Sequence, residues 1–104
     1  MRRSVRAKKE ILFWQPKFRL LEGWNIDFDD GIYTGQSAHG VKKKLGTIYD
    51  WGSGRMPKDY IFHEILHFAM AVVREAKPYL KRREAEEILV QDLSQIMLAL
   101  PLDL

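Results

Sequence analysis

Tyr60-Ile61-Phe62-His63-Glu64-Ile65-Leu66-His67-Phe68-Ala69-Met70-Ala71-Val72-Val73 is the stretch on which the reading of this chain turns. From Tyr60 to Ala69 nothing is charged apart from the residues of His63-Glu64-Ile65-Leu66-His67. Apolar side chains recur on nearly every side, the pattern of a central, buried helix. Pro57 suits the first turn of that helix, and Asp59 favours the positive end of its dipole. The expected span is about Pro57 to Glu75, with Pro78 as the break after it. His63 and His67, four apart, share one helix face about a turn from each other, so both imidazoles can reach a single ion. Two histidines and a glutamate on a buried apolar helix are costly unless something pairs them, and a metal ion does so directly.

Working outward, Leu45-Gly46-Thr47-Ile48-Tyr49-Asp50-Trp51 reads as a strand that Gly52-Ser53-Gly54 ends. Trp24-Asn25-Ile26-Asp27-Phe28 alternates apolar and polar, as a half-buried strand does. Asp29-Asp30-Gly31 is a turn signal expected to reverse the chain, with Ile32-Tyr33-Thr34 beginning the return strand. Gly35 to Gly40 is small and polar and is expected to be a loop, followed by Lys42-Lys43-Lys44. Pro16 divides the N-terminal segment into a helix before it and a strand after it. A last helix is expected from about Tyr79 to Leu100, stopped by Pro101. The 104 residues therefore predict a single domain over 1–104. Its class is α+β: a small antiparallel or mixed sheet packed on the central helix and a C-terminal helix.

Composition narrows the chemistry. With no cysteine, a metal site must use histidine and carboxylate, and no disulfide can staple the fold. No apolar run reaches the length of a membrane span, and the basic N-terminus lacks the apolar segment of a signal peptide, so a cytoplasmic protein is expected. The net charge of +3 is unevenly spread. Arg2, Arg3, Arg6, Lys8, Lys9, Lys17 and Arg19 face Glu10 alone in the first twenty residues, and Lys42–Lys44 and Lys81-Arg82-Arg83 add two basic clusters. These could be a solvated face or a surface for nucleic acid.

A catalytic zinc takes three protein ligands and keeps one open position. A glycine and third histidine downstream are excluded, because Met70 and Val73 stand at those places. The last helix offers Glu84, Glu86 and Glu87. At about 100° per residue, Ala85, Leu89, Leu93, Ile96 and Leu100 form an apolar stripe, with Glu86 roughly 50° from its centre. A carboxylate beside a core-facing stripe needs a partner, which makes Glu86 the expected third ligand and Glu87 the second choice. Zinc held by His63, His67 and Glu86 would activate a water toward peptide-bond hydrolysis, with Glu64 as general base. Tyr60, Tyr79 and His39 are candidates to stabilise the oxyanion; for the tyrosines a core or rim role is favoured. The strand around Gly46 to Tyr49 could bind an extended peptide by edge pairing.

With these residues placed, the chain resembles the gluzincin zinc metallopeptidases, which combine H-E-x-x-H with a glutamate on a following helix. In size and order it looks most like the minigluzincins, small single-domain members. The resemblance implies a zinc metallopeptidase with a peptide or protein substrate. Gluzincins often carry an aspartate four residues after the ligand glutamate. Here Val90 and Gln91 hold those places, and Asp92 follows.

Three further expectations stand beside this one. The apolar tail Ala99-Leu100-Pro101-Leu102-Asp103-Leu104 either docks on the core or lies in the cleft and makes the enzyme latent. A second expectation is that the zinc serves an inactive, metal-stabilised domain. A third is that the basic clusters serve a nucleic-acid-binding module, which salt-dependent binding would reveal.

Overall fold

The computed structural model describes residues 3–52, 54–75 and 81–99. Helix α1 spans Arg3–Trp14, and two 3-10 turns follow at Gln15–Lys17 and Arg19–Leu21. Then come strands β1 (Asn25–Tyr33), β2 (Ser37–Gly40) and β3 (Leu45–Asp50), and helices α2 (Tyr60–Arg74) and α3 (Arg82–Ala99). The three strands form one mixed sheet in the order β1-β3-β2, with β1 parallel and β2 antiparallel to β3. The α+β class is as expected, and the sheet is the mixed alternative. Among the described residues no helix is long and apolar enough to cross a membrane.

Three local expectations need correcting. Residues after Pro16 form 3-10 turns and no strand: Phe18 and Leu21, three apart, both sink into the core. Gln15 ties that bend by donating from Nε2 to the carbonyls of Leu21 and Trp24. Asp29-Asp30-Gly31 does not reverse the chain. Instead β1 runs through it and its register on β3 jumps from Asp29↔Tyr49 to Tyr33↔Asp50. The Asp29 carboxylate accepts from the Gly31 N–H at 2.8 Å, so the turn chemistry is used in an irregularity of the strand. The predicted loop at Gly35 to Gly40 contains β2, an edge strand that propensity hides because Ser37-Ala38-His39-Gly40 has no β-branched or large apolar residue.

The core lies between sheet, α1, α2 and α3. Phe18, Leu21, Ile48, Ile61, Ile65 and Phe68 are its largest fully buried side chains. α3 buries Ala85, Leu89, Asp92 and Ile96. Asp92 is held there by Arg19, whose backbone N–H and Nε–H each donate to a different carboxylate oxygen at 2.9 Å. This turns the inward face of α3 toward Asp92 and away from Glu86, which lies about 90° from its centre.

β3 presses on α2 at one point. A Cβ on Gly46 would stand 2.8 Å from Cε2 and 2.9 Å from Cζ of Phe68. Phe68 cannot yield, being fully buried and stacked on Trp24 with ring centroids 5.8 Å apart. Gly46→Ala should therefore cost about 1–3 kcal/mol by overpacking. Urea unfolding would show this as a lower midpoint with an unchanged slope, and an unchanged midpoint would refute the close approach.

Candidate metal centre

α2 is buried along Tyr60, Ile61, Glu64, Ile65, Phe68, Ala69, Ala71 and Val73. Its exposed positions are His63, His67, Met70 and Arg74. At about 100° per residue these four fall within some 60° of arc, a single open stripe on the helix. The helix is thus central, as its composition predicted, but the histidines stand at its solvent-facing edge. The cost of burial falls on Glu64 alone, which is 6% exposed.

His63 and His67 converge: their Nε2 atoms are 3.1 Å apart. Two nitrogens bound tetrahedrally to one zinc at about 2.0–2.1 Å would be separated by about 3.3 Å, so the spacing admits a shared ion, and it equally admits a hydrogen bond from one ring N–H to the other ring nitrogen. One ligand atom from each of His63, Glu64 and His67 lies within 4.8 Å of the others. Glu64 Oε2 accepts a hydrogen bond from Ser37 Oγ at 2.5 Å, which compensates the buried carboxylate. Ser37 sits on β2, paired with Ile48, so the edge strand holds the acid. Sequence reasoning had no signal for Ser37.

The cluster opens into a cleft of about 390 Å³ lined by Gly35, Gln36, Ser37 and His39 on one side and His63, Glu64, His67 and Arg74 on the other. A more apolar groove, lined by Phe13, Trp14 and Ile96 among others, lies between α1 and α3 and does not include these residues. His39, one of the oxyanion candidates, reaches the metal cleft from β2. Tyr60 does not line this cleft: its hydroxyl donates to the carbonyls of Tyr49 and Gln36, and the residue borders an adjoining hollow of about 210 Å³ together with His63 and Glu64. Tyr79 lies outside the described residues, as do Leu100 to Leu104 and with them the expected tail lock.

Glu86 is exposed on α3 and does not join the cluster. Glu87 is also exposed and accepts from Gln91 Nε2 at 3.4 Å. Asp92 is engaged with Arg19 and so does not support either motif histidine. β3, expected to pair with an extended peptide, is the central strand, with both edges taken by β1 and β2. Comparison with protein-family models, with curated proteins and with solved structures returns no match.

Burial, and then the charges of Glu64 and Asp50, push the Tyr60 hydroxyl well above the ordinary tyrosine pKa of 10.0. A raised pKa favours the protonated form in the fold. The contribution is complete below the unfolded-state value near pH 10 and is lost as pH rises beyond it. Unfolding free energy measured from pH 8 to 12 should therefore fall above about pH 10. Tyr60→Phe should flatten that fall while lowering stability at neutral pH by about 1 kcal/mol, through loss of the hydroxyl's hydrogen bond to the Tyr49 carbonyl; the Gln36 carbonyl keeps the Tyr49 N–H. An equally steep alkaline loss in the variant would refute the assignment.

Proposed function

We propose that this protein is a zinc-dependent peptide hydrolase with Glu64 as its general base. The observation that supports this most is the 3.1 Å approach of two imidazole nitrogens beside a buried carboxylate at an open cleft. His63 and His67 would hold the ion, and Glu86 of α3, the helix packed on α2, is the proposed third ligand. Zinc supplies Lewis acidity toward water and a peptide carbonyl. Ser37 donates to Glu64 Oε2, which fixes the carboxylate and leaves Oε1 to accept the proton of the attacking water. The same atom then returns that proton to the leaving amine nitrogen.

A second reading keeps the zinc and drops the chemistry. It is favoured by the position of Glu86 outside the cluster, since a domain of this size gains stability from a metal whether or not it cuts anything. The nucleic-acid reading is weaker, because Arg3, Arg6 and Arg19 are each engaged within the fold.

Metal content, thermal melting and peptide cleavage, measured together on one set of variants, separate these readings. His63→Ala should lose zinc. Glu64→Gln should keep zinc and lower cleavage by about 10²–10⁴-fold, the usual worth of a general base. Full cleavage by Glu64→Gln would sink the mechanism. Zinc that raises the melting temperature of a wild type that cuts no peptide would favour the metal-stabilised domain. Zinc lost in Glu86→Ala would assign the third ligand there, and zinc retained would remove it from the site.

A further inference from the structure

Arg74 stands on the open stripe of α2, eleven residues and about three turns beyond His63, so it falls on the same face as both histidines. It lines the same cleft as the metal cluster. Among the lining residues described, it is the single lysine or arginine, and Glu64 is the single carboxylate. Across the cleft, His39 on β2 packs edge-on against Phe68, with ring centroids 6.1 Å apart. Its Nε2 lies 3.9 Å from Glu75 Oε2, so β2 and the end of α2 meet at this side of the opening. Glu75 is 56% exposed at its side chain and does not line the cleft. Between the ligands and Arg74 the stripe presents Met70, with no charge to compete for a bound anion.

We propose that Arg74, with His39 opposite it, forms a cationic subsite of the metal cleft that selects peptides carrying an acidic side chain near the bond presented to His63 and His67. This deepens the hydrolase reading and rests on it for cleavage, though not for binding. The rise from His67 to Arg74 is about 10 Å along the helix. An extended peptide advances about 3.3 Å per residue, which places the selected acid about three residues from the metal. The guanidinium presents a planar fork of N–H donors that matches a carboxylate, and His39, whose Nε2 faces Glu75, adds an Nδ1–H in the tautomer that carries it. An arginine in the last turn of a helix also offsets the helix dipole. That role alone would make no distinction between acidic and neutral peptides.

The test is made on the full chain loaded with zinc, with binding read by calorimetry on the Glu64→Gln variant so that no probe is consumed. The probes are a neutral Ala/Ser peptide, the same peptide with a single Glu moved along it, and the matching single-Lys set. The expected result is binding about threefold to fivefold tighter for one or two Glu positions, the scale of a solvent-exposed ion pair. That gain should vanish with an added Arg74→Ala, pass to the Lys peptides with Arg74→Glu, and shrink as salt is raised. An unchanged thermal melt and zinc content establish that these exposed-site variants are folded. Equal affinity for neutral and acidic peptides, binding by none of them, or an acid preference that survives Arg74→Glu would each overturn the subsite. Cleavage by the chain with Glu64 intact is scored separately. Selective binding without cleavage removes the hydrolase reading and leaves the subsite standing, whereas cleavage without acid preference does the reverse.

Discussion

The contact between Gly46 and Phe68 sets the distance from which everything at the cleft follows. A strand that carried a side chain at this point would be held off α2 by at least the width of a methyl group. With none, β3 lies against the ring of Phe68, and β2, bonded to the far edge of β3, is carried over the helix. His39 pairs directly with Gly46, and Ser37 lies two residues along on β2. Successive same-face residues of that strand thus meet α2 at Phe68 and at Glu64. A glycine in the central strand, weak in strand propensity, is tolerated because the approach it allows contributes more than its own conformational cost.

The same packing divides α2 unequally. Glu64 faces inward and needs a donor, which Ser37 provides. His63 and His67 face outward, where a neutral or charged imidazole is readily hydrated. Desolvation therefore gives no reason for the histidines to be where they are. What distinguishes them is convergence, with two ring nitrogens at 3.1 Å and a buried carboxylate beside them. Among the described residues, no buried side-chain nitrogen or oxygen lacks a hydrogen-bond partner. The described part of the fold thus meets its internal polar demands without an ion, and what supports a metal is the geometry of the exposed pair.

The sequence made α2, β3 and the first half of β1 legible because each has a strong period or a long apolar run. It also made His63, Glu64 and His67 legible, because local spacing on one helix fixes their relation. What it hid depended on partners distant in the chain. β2 exists because β3 offers it an edge. Asp29-Asp30-Gly31 carries turn chemistry, yet pairing with β3 on either side keeps the strand running through it. The face of α3 was misjudged because Asp92 counts as polar in any pattern, and its burial depends on Arg19, seventy-three residues earlier. Arg74 was readable in principle, since His63, His67, Met70 and Arg74 follow helical spacing. Without the structure, the nearly continuous apolar run gave no indication of which stripe of α2 would be open.

The basic N-terminus shows how the same residues can carry opposite meanings in sequence and in structure. Read as a charge cluster, it suggests a surface for polyanions. In the fold, Arg3 donates to the buried Asp50 at 2.9 Å and to the carbonyl of Gly52. Arg6 donates to the carbonyls of Met56 and Pro57 at 3.1 Å and pairs with Glu10. These carbonyls lie between β3 and α2, on residues outside any helix or strand, and among the described residues only that of Pro57, of the three, also accepts from a backbone N–H, that of Tyr60. Charge-assisted donors from one side of α1 therefore hold the segment that sets where α2 begins. The first turn of α2 in turn sets the direction in which His63 and Glu64 point. The arginines of α1 act on the cleft at second hand, by fixing the entry of the helix that bears it. A cation engaged in this way is not available to a phosphate backbone without loosening that entry.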